Sequence, residues 1–194
     1  MTRAEEIMAI TLLAAIVLAA IIIFIRVRIS ANKYKNFKKT REENINAFKR
    51  GGFLTEDAKV ANDILAVYFD YTNKQFLVEN YSVLKCETKL NGPYSLEKLT
   101  KVSLLVDGAE AGKNYLDNYK TVRHEDGTVD ENNELANSVV LALYFDGRDT
   151  DKLEYELLNQ KALKVSGVFK KCFSTAYEMR EKFEEVISKK TENK

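Results

Sequence analysis

Nineteen consecutive residues, Ile7 to Ile25 (IMAITLLAAIVLAAIIIFI), carry no charge and a single polar side chain, Thr11. At about 1.5 Å of rise per residue such a helix spans roughly 28 Å, close to the ~30 Å hydrocarbon core of a bilayer. The stretch is read as an uncleaved transmembrane anchor. A signal peptide has a basic start, a shorter apolar core and small residues at its cleavage point. Here only Arg3 precedes the run, and Ile29-Ser30-Ala31 is a poor cleavage site. Glu5 and Glu6 ahead of an apolar helix invite comparison with a pilin leader, but the Gly before a Phe-Thr-Leu-type start is missing.

Charge gives the anchor a direction. Arg26, Arg28, Lys33, Lys35, Lys38, Lys39 and Arg41 follow the apolar run, with Lys49 and Arg50 beyond them and only Glu42 and Glu43 in opposition. Basic residues close to a helix end are retained on the cytoplasmic side. The expected topology is single-pass in the plasma membrane, with the N-terminus outside and the remaining mass cytoplasmic. The first seven cations are the candidate membrane-surface residues, since each cation near an anionic leaflet contributes about 1 kcal/mol. Thr11, Ala15 and Ala19 fall four apart on one helix face, the spacing at which small residues let two helices approach, so a homodimer through this face is one candidate contact.

Tyr34, Phe37, Ile45 and Phe48 keep helical spacing until Gly51-Gly52 supplies a stop. Three segments are expected: an anchor over 1–29, a basic juxtamembrane helix or linker over 30–52, and one soluble domain over 53–190. The whole chain is near neutral, with 30 basic and 29 acidic residues. Because the basic excess lies against the bilayer and residues beyond it are mildly acidic, nucleic acid is not an expected partner.

Past Gly52 the pattern becomes short β-branched and aromatic runs separated by turn residues, which reads as strands. Seven are expected: Ile64–Asp70 and Gln75–Glu79 as a hairpin around Tyr71–Lys74, then Tyr81–Thr88, Lys101–Asp107, a weak one within Lys113–Val122, Ser138–Phe145, and Leu153–Lys164. Asn91-Gly92-Pro93 is expected to be loop. The chain closes with an amphipathic helix whose stripe runs Val168, Phe169, Cys172, Phe173, Ala176, Met179, Phe183, Val186 and Ile187.

The order of seven antiparallel strands and one final helix, with LAVYFDYTNKQFLV, YSLEKLTKVSLLVDG and AYEMREKFEEVI, resembles uncharacterised bacterial membrane-anchored proteins of pleckstrin-homology-like fold. That resemblance implies a mainly β (α+β) domain, a bent seven-stranded antiparallel sheet or barrel capped by the C-terminal helix. It implies binding at most, with peptides taken as an added strand or in the groove beside the final helix. The usual phosphoinositide reader of this kind carries its cations in the first hairpin loop. Here Tyr71–Lys74 holds only Lys74.

Signatures of chemistry are missing from the sequence. No phosphate-binding glycine loop, no G-x-S-x-G and no H-E-x-x-H occurs. A single histidine, His124, excludes a multi-His metal site and leaves only a solvated loop residue. Asp126–Glu131 and Asp146–Asp151 lack the EF-hand spacing and read as turns. Cys86 and Cys172 are too few for a disulfide scaffold and read as thiols in a reducing compartment. No cofactor or metal is expected. The expected function is a non-catalytic scaffold or adaptor that brings a protein partner to the membrane. The alternatives are an anionic-lipid-responsive surface domain and an accessory subunit of a membrane complex.

Overall fold

In a computed structural model, residues 3–61, 64–120, 122–123, 129–130, 134–146, 151–158 and 160–192 are described. His124, most of Asp126–Glu134 and residues 147–150 of the Asp146–Asp151 stretch lie outside them. The first element, α1 (Arg3–Arg50), is a single helix of 48 residues. It passes through Ser30 without a break. An 18-residue window within it has mean hydropathy 2.7 and no part buried against the rest of the chain. This helix is long and apolar enough to cross a membrane.

Its C-terminal end is closed by the double glycine. Phe53 N–H donates to the Phe48 carbonyl (3.1 Å) and Gly52 N–H to the Lys49 carbonyl (3.0 Å), with Gly52 at φ +97°. This 6→1 and 5→2 pair is a Schellman stop, and it brings Phe53 back onto Phe48.

Twelve strands follow among the described residues. The first sheet is the meander β1 (Asp57–Ala61), β2 (Leu65–Asp70), β3 (Gln75–Ser82) and β4 (Glu87–Ser95). The second has the order β11-β10-β5-β6, built from β5 (Leu99–Val106), β6 (Ala109–Glu110), β10 (Val139–Phe145) and β11 (Lys152–Glu156). Two-residue ladders join β7 (Val122–Arg123) to β8 (Val129–Asp130), and β9 (Leu135–Ala136) to β12 (Ala162–Leu163). All pairings within the two sheets are antiparallel. The two sheets share no strand and are not closed into a barrel.

The chain ends in α2 (Gly167–Glu192), whose Phe169, Cys172, Phe173, Ala176, Met179 and Phe183 are buried as the stripe requires. Ser166 Oγ accepts from Phe169 N–H at its start, the bond an N-cap serine makes. Phe183 meets the edges of Phe69 and Phe76 at 5.1 Å each, while Phe76 stacks on Phe145 of the second sheet. Both sheets and α2 therefore close one core.

Several expected elements differ. The hairpin around Tyr71–Lys74 forms with the expected strands. Residues 83–86 of the expected third strand instead make a turn, with Cys86 at φ 56°. The Asn91-Gly92-Pro93 stretch lies inside β4, where a register shift opposite Phe76–Val78 accommodates it and an edge strand tolerates the missing proline N–H. Strand β1 had no alternating pattern to announce it. The weak strand within 113–122 is mostly a 3-10 helix, Tyr115–Tyr119. The seventh divides into β11 and β12.

Candidate functional site

One sheet face makes the junction with α1. Strand β2 is buried at all six positions. Leu65, Val67 and Phe69 point into the main core, whereas Ala66 and Tyr68 join Leu77 and Tyr81 of β3 in a second cluster with Phe37 and Phe53. The last turns of α1 are thus docked on the outer face of the first sheet. The segment 30–52, expected to be a helix or linker, is from Phe37 onward part of the domain's packing.

Glu79 lies in the middle of that docked face with its side chain 1% exposed. Arg41 Nε and Nη2 donate to its two carboxylate oxygens at 2.7 and 2.8 Å. The hydroxyls of Tyr68 (2.7 Å) and Thr88 (2.6 Å) donate to the same carboxylate. The guanidinium lies 3.8 Å above the ring of Tyr81 and 5.7 Å from that of Phe37. A planar fork is what bidentate pairing and stacking need, and lysine lacks one. Desolvation would raise the Glu79 pKa, but the bonds from Arg41, Thr88 and Tyr68 outweigh it and hold the carboxyl below its usual range. The Arg41 pKa is raised, first by its bond to Glu79, against the opposing cost of burial. Burial, then the bond to Glu79, raises the Tyr68 pKa.

The other candidate membrane-surface residues, Arg26, Arg28, Lys33, Lys35, Lys38 and Lys39, are exposed along α1. Lys38 lies over the Tyr34 ring and Lys39 pairs with Glu43 at 3.5 Å. Arg41 differs from these six in turning toward the sheet. Thr11, Ala15 and Ala19 are exposed on α1.

The groove beside α2 is occupied by the chain itself. After the Asp107-Gly108 turn, both residues at positive φ, β6 pairs with the end of β5. Ala111 N–H donates to the Leu104 carbonyl, and Arg180 Nη1 to the Ala111 carbonyl. Tyr115 then stacks on Phe173 at 5.2 Å. Behind it the buried Lys164 ammonium reaches Glu134, Tyr119 and Asp107. Desolvation opposes its charge, yet the bonds to Glu134 and the two tyrosines raise its pKa. Strand β1 pairs with β2 ahead of the β2–β3 hairpin, so Tyr71–Lys74 is not the first strand connection of the sheet.

Among the described residues, one open cleft lies at the end of the docked helix and another along β3 and β4. The first, of about 620 Å³, lies by Phe48, Gly52, Phe53, Asn73, Gln75 and Pro93, and the second, of about 390 Å³, by Ile64, Asn80, Ser82, Glu87 and Lys89. The first has no titratable side chain on its wall and offers no general acid or base. Among the described residues no group of three or more His, Cys, Asp or Glu stands together to hold a metal. Cys172 is buried, donating to the Leu157 carbonyl, and neither cysteine is in a disulfide.

Comparison with models of known protein families, with curated proteins and with solved structures finds no match.

Within this site, the seven cations were visible in the sequence and the Arg41–Glu79 pair was not. Its signal is an acid between Leu77 and Tyr81 on one strand face, opposite an arginine four residues after Phe37.

Proposed function

We propose that this chain is a single-pass, membrane-anchored, non-catalytic interaction module that holds a protein partner at the membrane surface. The observation that carries the reading is α1 itself: bare through its apolar part, then clamped by Arg41 and Glu79 to the sheet it leads into. Such a helix serves as a rigid mount. A four-strand meander, then the meander β5–β10–β11, then a packed C-terminal helix supports a pleckstrin-homology-like architecture for the body. The filled groove beside α2 directs attention away from peptide capture there and toward the free sheet edges, such as that of β11.

A second reading has its own support in the six exposed cations, which suit an anionic leaflet. Affinity capture from the native membrane in mild detergent separates the two, using the full chain and a variant with glutamine at Arg26, Arg28, Lys33, Lys35, Lys38 and Lys39. The module reading expects the same stoichiometric protein with both. Enrichment of anionic lipid by the parent alone, with no protein partner, would replace it with the lipid reading.

A further inference from the structure

We infer that the β3–β4 turn, Val83–Cys86, is a second membrane contact, inserting Leu84 into the interfacial layer of the bilayer that α1 crosses; this rests on the reading of α1 as an anchor. Helix α1 and strand β3 run antiparallel. Phe37 lies against Tyr81 (6.4 Å between rings), Arg41 against Glu79, and Phe48 shares a cleft with Gln75 and Asn73. The β2–β3 turn is therefore the far end of the sheet, and the β3–β4 turn is the end nearest the apolar stretch.

The heights agree. Leu84 lies three residues past Tyr81, at most about 10 Å at roughly 3.3 Å per extended residue, since β3 ends at Ser82 and the chain then turns. Six to seven helical residues cover that distance at about 1.5 Å each, so residues 30–31 mark the nearest approach of Leu84 to the apolar run along an upright helix. The apolar run ends at Ile25, and a headgroup layer of about 5–8 Å extends to roughly residue 30. A helix tilt of about 20° toward the sheet side, across layers about 10 Å apart, would lower the turn by about 3 Å more.

The turn suits that environment. Leu84 is 93% exposed, more than any other large apolar side chain described, and Val83 beside it is also exposed. Cys86 N–H to the Val83 carbonyl and Lys85 N–H to Ser82 Oγ close the turn beneath Leu84. Lys85 and Lys89 are exposed to either side and Glu87 lies between them, so the neighbouring cleft is not an anion pocket and the apolar tip is the feature to be seated.

The chain has no tryptophan, so each introduced one is a sole reporter. Full-length Leu84→Trp, Leu54→Trp and Phe24→Trp chains are reconstituted into phosphatidylcholine vesicles with a minority of phosphatidylglycerol. Leu54 is exposed near the far end of the sheet and Phe24 belongs to the anchor. The expected result is several-fold stronger quenching by brominated lipid at position 84 than at 54, with blue-shifted emission and protection from acrylamide. Quenching at 24 with none at 84 overturns the turn contact and leaves the anchor standing, as does protection from acrylamide at 84 without quenching by lipid. Absence of quenching at all three positions overturns both.

Discussion

Deleting the Arg41 guanidinium should destabilise the body more than any other change on the surface of α1. In Arg41→Ala, Glu79 stays buried with only the Tyr68 and Thr88 hydroxyls for donors. Removing one partner of a buried ion pair costs about 3–5 kcal/mol. The Arg41 side chain is 25% exposed and two hydroxyl bonds persist, which places the loss near the lower end, at about 3 kcal/mol. Arg41→Lys keeps the charge but not the fork or the stacking on Tyr81, and should cost about 1.5 kcal/mol. Glu79→Gln should cost about as much, and the double variant Arg41→Ala/Glu79→Gln about 2 kcal/mol less than the sum of its parts. Urea unfolding of the full chain in mild detergent, followed by the near-ultraviolet dichroism of its tyrosines, reads all four. The pH dependence gives an independent sign. Because the folded carboxyl is held below its ordinary value of 4.5, its contribution is complete above that value and is lost as pH falls through the lowered one. Removing Arg41 takes away the largest cause of that lowering, so the stability gap between parent and variant should narrow as pH falls below 4.5. A loss under about 0.5 kcal/mol for Arg41→Ala, or strict additivity with Glu79→Gln, would refute the clamp.

Three further outcomes are expected. A chain starting at Gly51 lacks Phe37, Arg41 and Phe48 and uncovers Tyr68, Leu77 and Tyr81, so it should aggregate, whereas one starting at Ala31 should elute as a folded species on size exclusion. Phe183→Ala removes the ring that bridges Phe69 and Phe76 and should cost about 3–5 kcal/mol by the same unfolding measurement. Gly92→Ala should cost about 2 kcal/mol, because a Cβ there meets the Phe76 carbonyl oxygen at 3.0 Å and the residue sits at φ +113°; Gly108→Ala, with open space around it, should cost only about 1 kcal/mol.

Elements with a one-sided pattern were legible in the sequence. Strand β10 and helix α2 bury long apolar series, and the Tyr71–Lys74 turn is set by Asp70, whose carboxylate accepts from Asn73 and Leu54. Strand β1 (DAKVA) is too short and polar to register. In β4 a Gly-Pro pair reads as loop until the register shift opposite is seen. The docking of α1 was hidden for a different reason: a helix stripe of Phe37, Ile45 and Phe48 says that something is covered, not which face covers it. The two-sided burial of β2 was the missing half, since LAVYFD has apolar residues on both sides of the strand.

Because α1 is one unbroken helix from the apolar run to Gly51, the position of the body is a function of residue number. Each residue inserted between Ile29 and Phe37 would raise the body by about 1.5 Å and swing it by about 100° around the helix axis. Thr11, Ala15 and Ala19 are related by the same screw to Phe37, Arg41 and Phe48, about 60° apart in azimuth. The helix is a keyed shaft: its unbroken register ties the azimuth of the apolar half to that of the β-sheets.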